Sequence, residues 1–146
     1  MSIQHNDMHS NTVVRRGVSP VAIGTTGTGQ VGKIIDRQGF GGIEFLVAYG
    51  AITATNAVFT VTVKEGDATG TMTSVADGNL LGTEALAGLA AGARTSGVGS
   101  RVVKKIGYKG SKRYVQCGVK STVTAAALVS IDAVLFNPES STGNAA

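Results

Sequence analysis

The sequence predicts an all-β chain: a two-sheet β-sandwich, jelly-roll-like with about eight strands, preceded by an extended N-terminal arm. Three observations predict it. Short runs alternate apolar and polar residues at period two. Turn residues recur roughly every 8–12 positions between those runs. No stretch carries the sustained period of a long amphipathic helix, which removes α/β folds and helical bundles. The 146 residues suit one domain. An apolar fraction of 42% with only 15% charged residues opposes a disordered chain. Glycine, at 21 residues, has no three-residue period, so collagen is excluded.

The elements follow in order. Residues 1–17 read as the arm: Asn, Ser, His and Asp dominate, and only Val13–Gly17 suggests an extended piece. The sandwich is expected over residues 18–138. Val18–Ile23 holds Pro20, which suits an edge strand because proline cannot donate to a ladder. Gly24–Gly29 is a turn, Val31–Asp36 a second strand, and Gln38–Gly42, with three glycines, another turn. Ile43, Phe45, Val47 and Tyr49 share one face of a third strand. Phe59–Lys64 alternates apolar and polar residues with β-branched side chains throughout. Glu65–Gly70 is a loop, Met72–Ala76 a short return strand, and Asp77–Asn79 a turn. Leu80–Ala93 mixes helix-favouring Ala and Leu with Gly82, Gly88 and Gly92, so it reads as a loop with at most one or two helical turns. Thr95–Ser100 is rich in Gly and Ser. Arg101–Tyr108, Arg113–Lys120 and Leu128–Phe136 complete the strands, and Asn137-Pro138 is expected to stop the last. Residues 139–146 form a polar tail.

Charge is unevenly distributed. Residues 1–84 carry five basic and seven acidic side chains; residues 85–146 carry eight and two, hence net charges of −2 and +6. No Asp or Glu lies between Ala85 and Ile131. Within that stretch, Lys104 to Tyr114 interleaves Lys104, Lys105, Lys109, Lys112 and Arg113 with Tyr108 and Tyr114. Three readings stand: stacking and phosphate contact with single-stranded nucleic acid, two strands joined at Lys109-Gly110-Ser111 with solvated lysines, or a docking face for an acidic protein lattice.

Motifs for chemistry are weak. Gly27 to Gly32 matches G-x-G-x-x-G, but Gly39 follows too soon for the helix that a dinucleotide site needs. His5 and His9 stand four apart in the arm without a third metal ligand at standard spacing. Cys117 is the single cysteine, so no intrachain disulfide forms. It shares a strand face with Val115 and Val119, which makes it a buried structural thiol. No pair of carboxylates has a spacing that specifies acid–base roles. The expectation is therefore no enzyme, no cofactor and no metal. Met1–Thr12 lacks the apolar core of a secretory signal, and no apolar run approaches the length of a membrane span.

Three segments carry a family resemblance: Val31–Tyr49 with its Asp36-Arg37-Gln38-Gly39-Phe40 turn, Asp77–Glu84 with Leu80-Leu81-Gly82-Thr83-Glu84, and Lys104–Val115 with Ile106-Gly107-Tyr108 and Lys112-Arg113-Tyr114-Val115. They resemble a group of small structural proteins, head decoration or cement-like, of tailed bacteriophages and prophages. The resemblance extends from about Val18 to Pro138. It departs between Thr83 and Arg101, where Ala and Gly replace an expected strand-like, more acidic stretch. What it implies is a decoration protein bound to the outer surface of the major capsid protein lattice, located on the virion and assembled in the host cytoplasm. A head–tail connector or tail subunit is the alternative, and a single-stranded nucleic-acid-binding barrel a more distant one. Self-association as a homodimer or homotrimer is expected, without membrane contact. Arg15, Arg16, Lys104, Lys105, Lys109, Lys112 and Arg113 are the expected capsid or subunit contacts. Removing residues 1–17 is expected to weaken capsid attachment and leave the domain folded.

Overall fold

A computed structural model describes residues 8–22, 32–51, 57–89, 102–123 and 127–138. The described chain forms two antiparallel sheets packed face to face. In chain order the elements are α1 (Met8–Asn11), β1 (Val13–Ala22), β2 (Ile34–Asp36), β3 (Phe40–Tyr49), β4 (Phe59–Gly66), β5 (Thr73–Ser74), a 3₁₀ turn (Asp77–Asn79), β6 (Leu80–Leu81), α2 (Glu84–Ala87), β7 (Val103–Tyr108), β8 (Tyr114–Ser121) and β9 (Leu128–Pro138). The first sheet has the order β1-β9-β3-β7-β6, the second β2-β8-β4-β5. Without the short β6, this is the interleaved double Greek key of a jelly roll.

Alternation dictates the core. Ile43, Phe45, Val47 and Tyr49 of β3 and Val129, Ile131, Ala133 and Leu135 of β9 all point inward and are buried. Phe59, Val61 and Val63 of β4 and Val115, Cys117 and Val119 of β8 meet them from the second sheet. Inward faces interdigitate in this way because each sheet can hide only one side of its pleat. Tyr49 ties the first sheet to two other elements: its ring meets Phe59 of the second sheet edge-on at 5.3 Å between centroids, and its hydroxyl donates to the Ala87 carbonyl of α2 at 2.8 Å. α2 fills the open side between β4 and β7, capped by the Thr83 hydroxyl, which accepts from Leu86 N at 3.0 Å. One helical turn within Leu80–Ala93 agrees with the sequence reading; the added strand β6 accounts for the ninth strand.

Several boundaries differ from the sequence reading: β2 (Ile34–Asp36) and β5 (Thr73–Ser74) are shorter than the expected Val31–Asp36 and Met72–Ala76, and four others differ in ways that matter for the fold. Val13–Gly17 is not arm: it forms the first half of β1, with Val13 opposite Leu135 and Arg16 opposite Asp132. Thr12 and Met8–Asn11 precede it, and His9 sits in the single turn α1. The turn before β3 is only Gln38-Gly39, because Gly41 and Gly42 already lie in the strand. They are glycine for want of room: a Cβ on Gly42 would strike the Phe136 ring, and one on Gly41 the Asn137 side chain. β4 runs on through Gly66. Asn137-Pro138 does not stop β9: Asn137 takes a left-handed φ of 56°, which asparagine tolerates, and Pro138 still pairs with Phe40. Pro20 does lie in an edge strand. Residues 1–7, the expected turn at Gly24–Gly29, the stretch Thr95–Ser100 and the tail 139–146 fall outside the described residues.

Deleting residues 1–17 should therefore lower the melting temperature, since it removes half of β1 from β9. Deleting residues 1–12 instead, which leaves the β1 ladder whole, should lower it less. Thermal denaturation of both truncations checks this.

Candidate functional site: a basic crossover and an exposed sheet face

The basic segment is a crossover between sheets, not a hairpin. β7 ends in the first sheet, residues 109–113 cross, and β8 begins in the second. Arg37, immediately after β2, organises the crossing. The residue as a whole is 9% exposed. Nε donates to the Lys112 carbonyl at 2.5 Å, Nη2 to Gly110 O at 2.8 Å and Nη1 to Phe40 O at 3.2 Å. The same group lies 5.4 Å from the centre of the Tyr108 ring, a cation–π contact. The Tyr108 hydroxyl donates to Glu65 and accepts from Lys112 N at 3.0 Å. Burial first, then the bond to Glu65, pushes the Tyr108 hydroxyl up to about 12.

The outer ends of this cluster are ion pairs. Lys112 Nζ meets Asp67 at 2.6 Å. Arg113 grips Asp36 with two bonds of 2.9 and 2.8 Å and lies over Tyr114. The Arg113 bonds hold the Asp36 carboxyl below its usual range. These pairs are exposed and contribute little to stability, but they neutralise two of the cations that a phosphate-binding surface would need.

The seven expected contact residues do not form one patch. Arg15 and Arg16 lie on β1, at the edge of the first sheet. Lys104 and Lys105 lie on β7, three strand spacings away, about 14 Å. Adjacent strand residues point to opposite faces: Lys105 stands on the outer face with Gly107, and Lys104 shares the face of Ile106 and Tyr108. Lys109, Lys112 and Arg113 sit at the crossover. Tyr108 is buried and Tyr114 half-buried.

All three resemblance motifs converge here. The Asp36–Phe40 turn supplies Arg37 and Asp36. Leu80 and Leu81 pair with Tyr108 and Gly107. Glu84 reaches β4, where its carboxylate accepts from Val63 N at 2.6 Å. A cleft of about 440 Å³ runs along β4 beside α2, but its one acid, Glu84, is committed to that bond. Cys117 is fully buried, and burial pushes its thiol up, away from the reactive thiolate. Among the described residues, no group of three or more His, Cys, Asp and Glu side chains is placed to hold a metal ion, and no helix is long and apolar enough to cross a membrane.

A second surface was not singled out by sequence reasoning. The outer face of the first sheet exposes Val14 (61%), Leu81 (48%), Val103 (65%) and Leu128 (60%). Leu46, Ala48, Val134 and Phe136 lie half-buried among them. The signal was present: Leu46 and Ala48, and Val134 and Phe136, put apolar side chains on the strand face that alternation reserves for solvent.

No protein-family model matches the chain, and no curated protein matches it. Among solved structures, the chain is similar to a cleaved adhesin domain of Lys-gingipain from Porphyromonas gingivalis, with 16% identity over 88% of this chain and 75% of that one, TM-score 0.39. It is also similar to a xylan-binding module, with 12% identity over 92% and 95% of the two chains, TM-score 0.36. A third likeness is to the Eiger TNF of S. frugiperda, with 10% identity over 92% and 91%, TM-score 0.33. Likenesses this loose carry neither function nor partner across.

Arg37→Ala should cost about 2–4 kcal/mol in urea denaturation, because three part-buried carbonyls lose charged donors. Arg37→Lys should recover only part of that, since an ammonium lacks the planar fork. Stability should also fall as the pH rises above 10.0. Tyr108 ionises near that value when unfolded and only at about 12 when folded, so its contribution is complete below 10.0 and lost above. Tyr108→Phe should make that alkaline loss shallower and cost about 1–3 kcal/mol at neutral pH.

Proposed function

We propose that this chain is a capsid decoration protein of a tailed bacteriophage. It binds the outer surface of the major capsid protein lattice and stabilises the head by adding buried contact area. It works by binding and carries out no chemical step. Its partners are the capsid protein and further copies of itself, and its place is the virion surface. The observation that carries this reading is the meeting of the three resemblance motifs in one structure. The turn at Asp36–Phe40, the Leu80–Glu84 segment and the Lys104–Val115 segment are far apart in sequence, yet they pack around Arg37 and Tyr108. The resemblance therefore rests on residues that determine how the two sheets are joined, rather than on scattered surface identities.

The exposed apolar face of the first sheet gives such a protein an area to bury. The nucleic-acid reading is less well supported, because Lys112 and Arg113 are paired with acids and Lys104 and Lys105 point to opposite faces.

Quantifying the chain in purified particles tests the proposal. A decoration protein should be present in copies on the order of hundreds, following the lattice symmetry. A single ring of subunits per particle would assign it to the connector or tail instead, and absence from the particle would overturn the virion reading altogether.

A further inference from the structure

The geometry points to the outer face of the first sheet as the surface on which a second copy of this chain stacks, sheet against sheet. This rests on the self-association part of the proposed function and is independent of the capsid. Four observations on that face carry it.

The face is apolar where it should be wet. Four large apolar side chains, Val14, Leu81, Val103 and Leu128, are roughly half or more exposed on it. They are spread over β1, β6, β7 and β9, so the apolar character runs from one side of the sheet to the other. The outer face of the second sheet is built differently: Thr60, Thr62, Lys64 and Lys120 cover β4 and β8 there.

The face is flat. Phe136 lies across Gly42 on the neighbouring strand, and the Glu44 carboxylate lies across Gly107. A side chain at either glycine would push these groups outward. Glycine at both positions lets long side chains lie along the sheet, and low relief is what sheet-on-sheet packing at about 10 Å requires.

The face is neutral on a basic protein. The chain carries +4 overall, but among the described residues the four charges on this face cancel. Arg16 stands opposite Asp132 on β9, and Lys105 lies beside Glu44. A strongly acidic or basic partner gains nothing from such a face, whereas a second copy meets it without net repulsion. The arrangement suits the isologous contact of a two-fold dimer.

The area is sufficient. Four long strands about 4.8 Å apart, with outer rows spanning about 27 Å, present about 500 Å² per copy before side-chain relief is counted. Two copies thus reach roughly the 1,000 Å² at which specific interfaces begin.

The test is sedimentation equilibrium on the purified full-length chain, with no capsid present. At tens to hundreds of micromolar, the wild type should show about twice the 14.7 kDa chain mass. Val103→Lys combined with Leu128→Lys should halve that mass. Both positions are more than half exposed in the single chain, so the thermal transition should show that the variant folds. Thr62→Lys, on the other sheet's outer face, should remain dimeric. A wild type that stays monomeric throughout that range overturns the proposal. So does a double variant that remains dimeric, a Thr62→Lys variant that dissociates, or a wild-type trimer. Each of those results leaves the capsid reading to be decided by particle copy number, so the two failures are distinguishable.

Discussion

The fold depends on the burial of one positive charge. Arg37 lies under the crossover that takes the chain from one sheet to the other, and among the described residues no carboxylate lies within ion-pair distance of it. A buried guanidinium must be solvated by something. Here the solvent is backbone: the carbonyls of Gly110, Lys112 and Phe40, with the Tyr108 ring at one side. Those carbonyls belong to the crossover and to the start of β3, so satisfying the charge also fixes where β7 leaves the first sheet and β8 enters the second. Tyr108 extends the arrangement by tying Lys112 N to Glu65 at the end of β4. The two sheets are held in register by polar bonds at one end, and apolar packing fills the space between.

Much of this was legible in the sequence where a local pattern decides the outcome. β3, β4, β8 and β9 alternate so regularly that their buried faces could be named residue by residue, Cys117 included. Pro20 marked an edge strand. The misread positions share a different cause. Gly41 and Gly42 look like turn residues, yet they are strand residues emptied for Asn137 and Phe136 on the neighbouring strand. A glycine kept for a neighbour's side chain cannot be told from one kept for a turn until the neighbour is known. Val13–Gly17 suggested an extended piece but was grouped with the arm, because an edge strand beside solvent needs no strict alternation, and its register shifts after Arg16 and again after Val18.

The candidate site was the least legible part. Counting charge along the chain gathered Lys104 to Arg113 into one basic run. Folding separates them: neighbours on a strand face opposite ways, and acids from distant segments, Asp36 and Asp67, fold back onto Arg113 and Lys112. Linear charge density is a property of the unfolded chain. The surface field depends on long-range pairing, which the sequence alone does not display. The apolar outer face was written in the second parity of β3 and β9, but a strand that is apolar on both sides looks equally like a strand buried on both sides.

The sheet edges set a limit on how this molecule can multiply. Three of the four outermost strands are too short to template anything: β2 has three residues, β5 and β6 two each. The fourth, β1, is ten residues long, but it is twice out of register and lacks an N–H at Pro20. Among the described residues, none of these outermost strands offers an incoming strand a long regular ladder, which disfavours growth through them by edge-to-edge accretion. Copies of such a chain are better brought together through faces and loops than through these strands, which favours crowding over fibre growth.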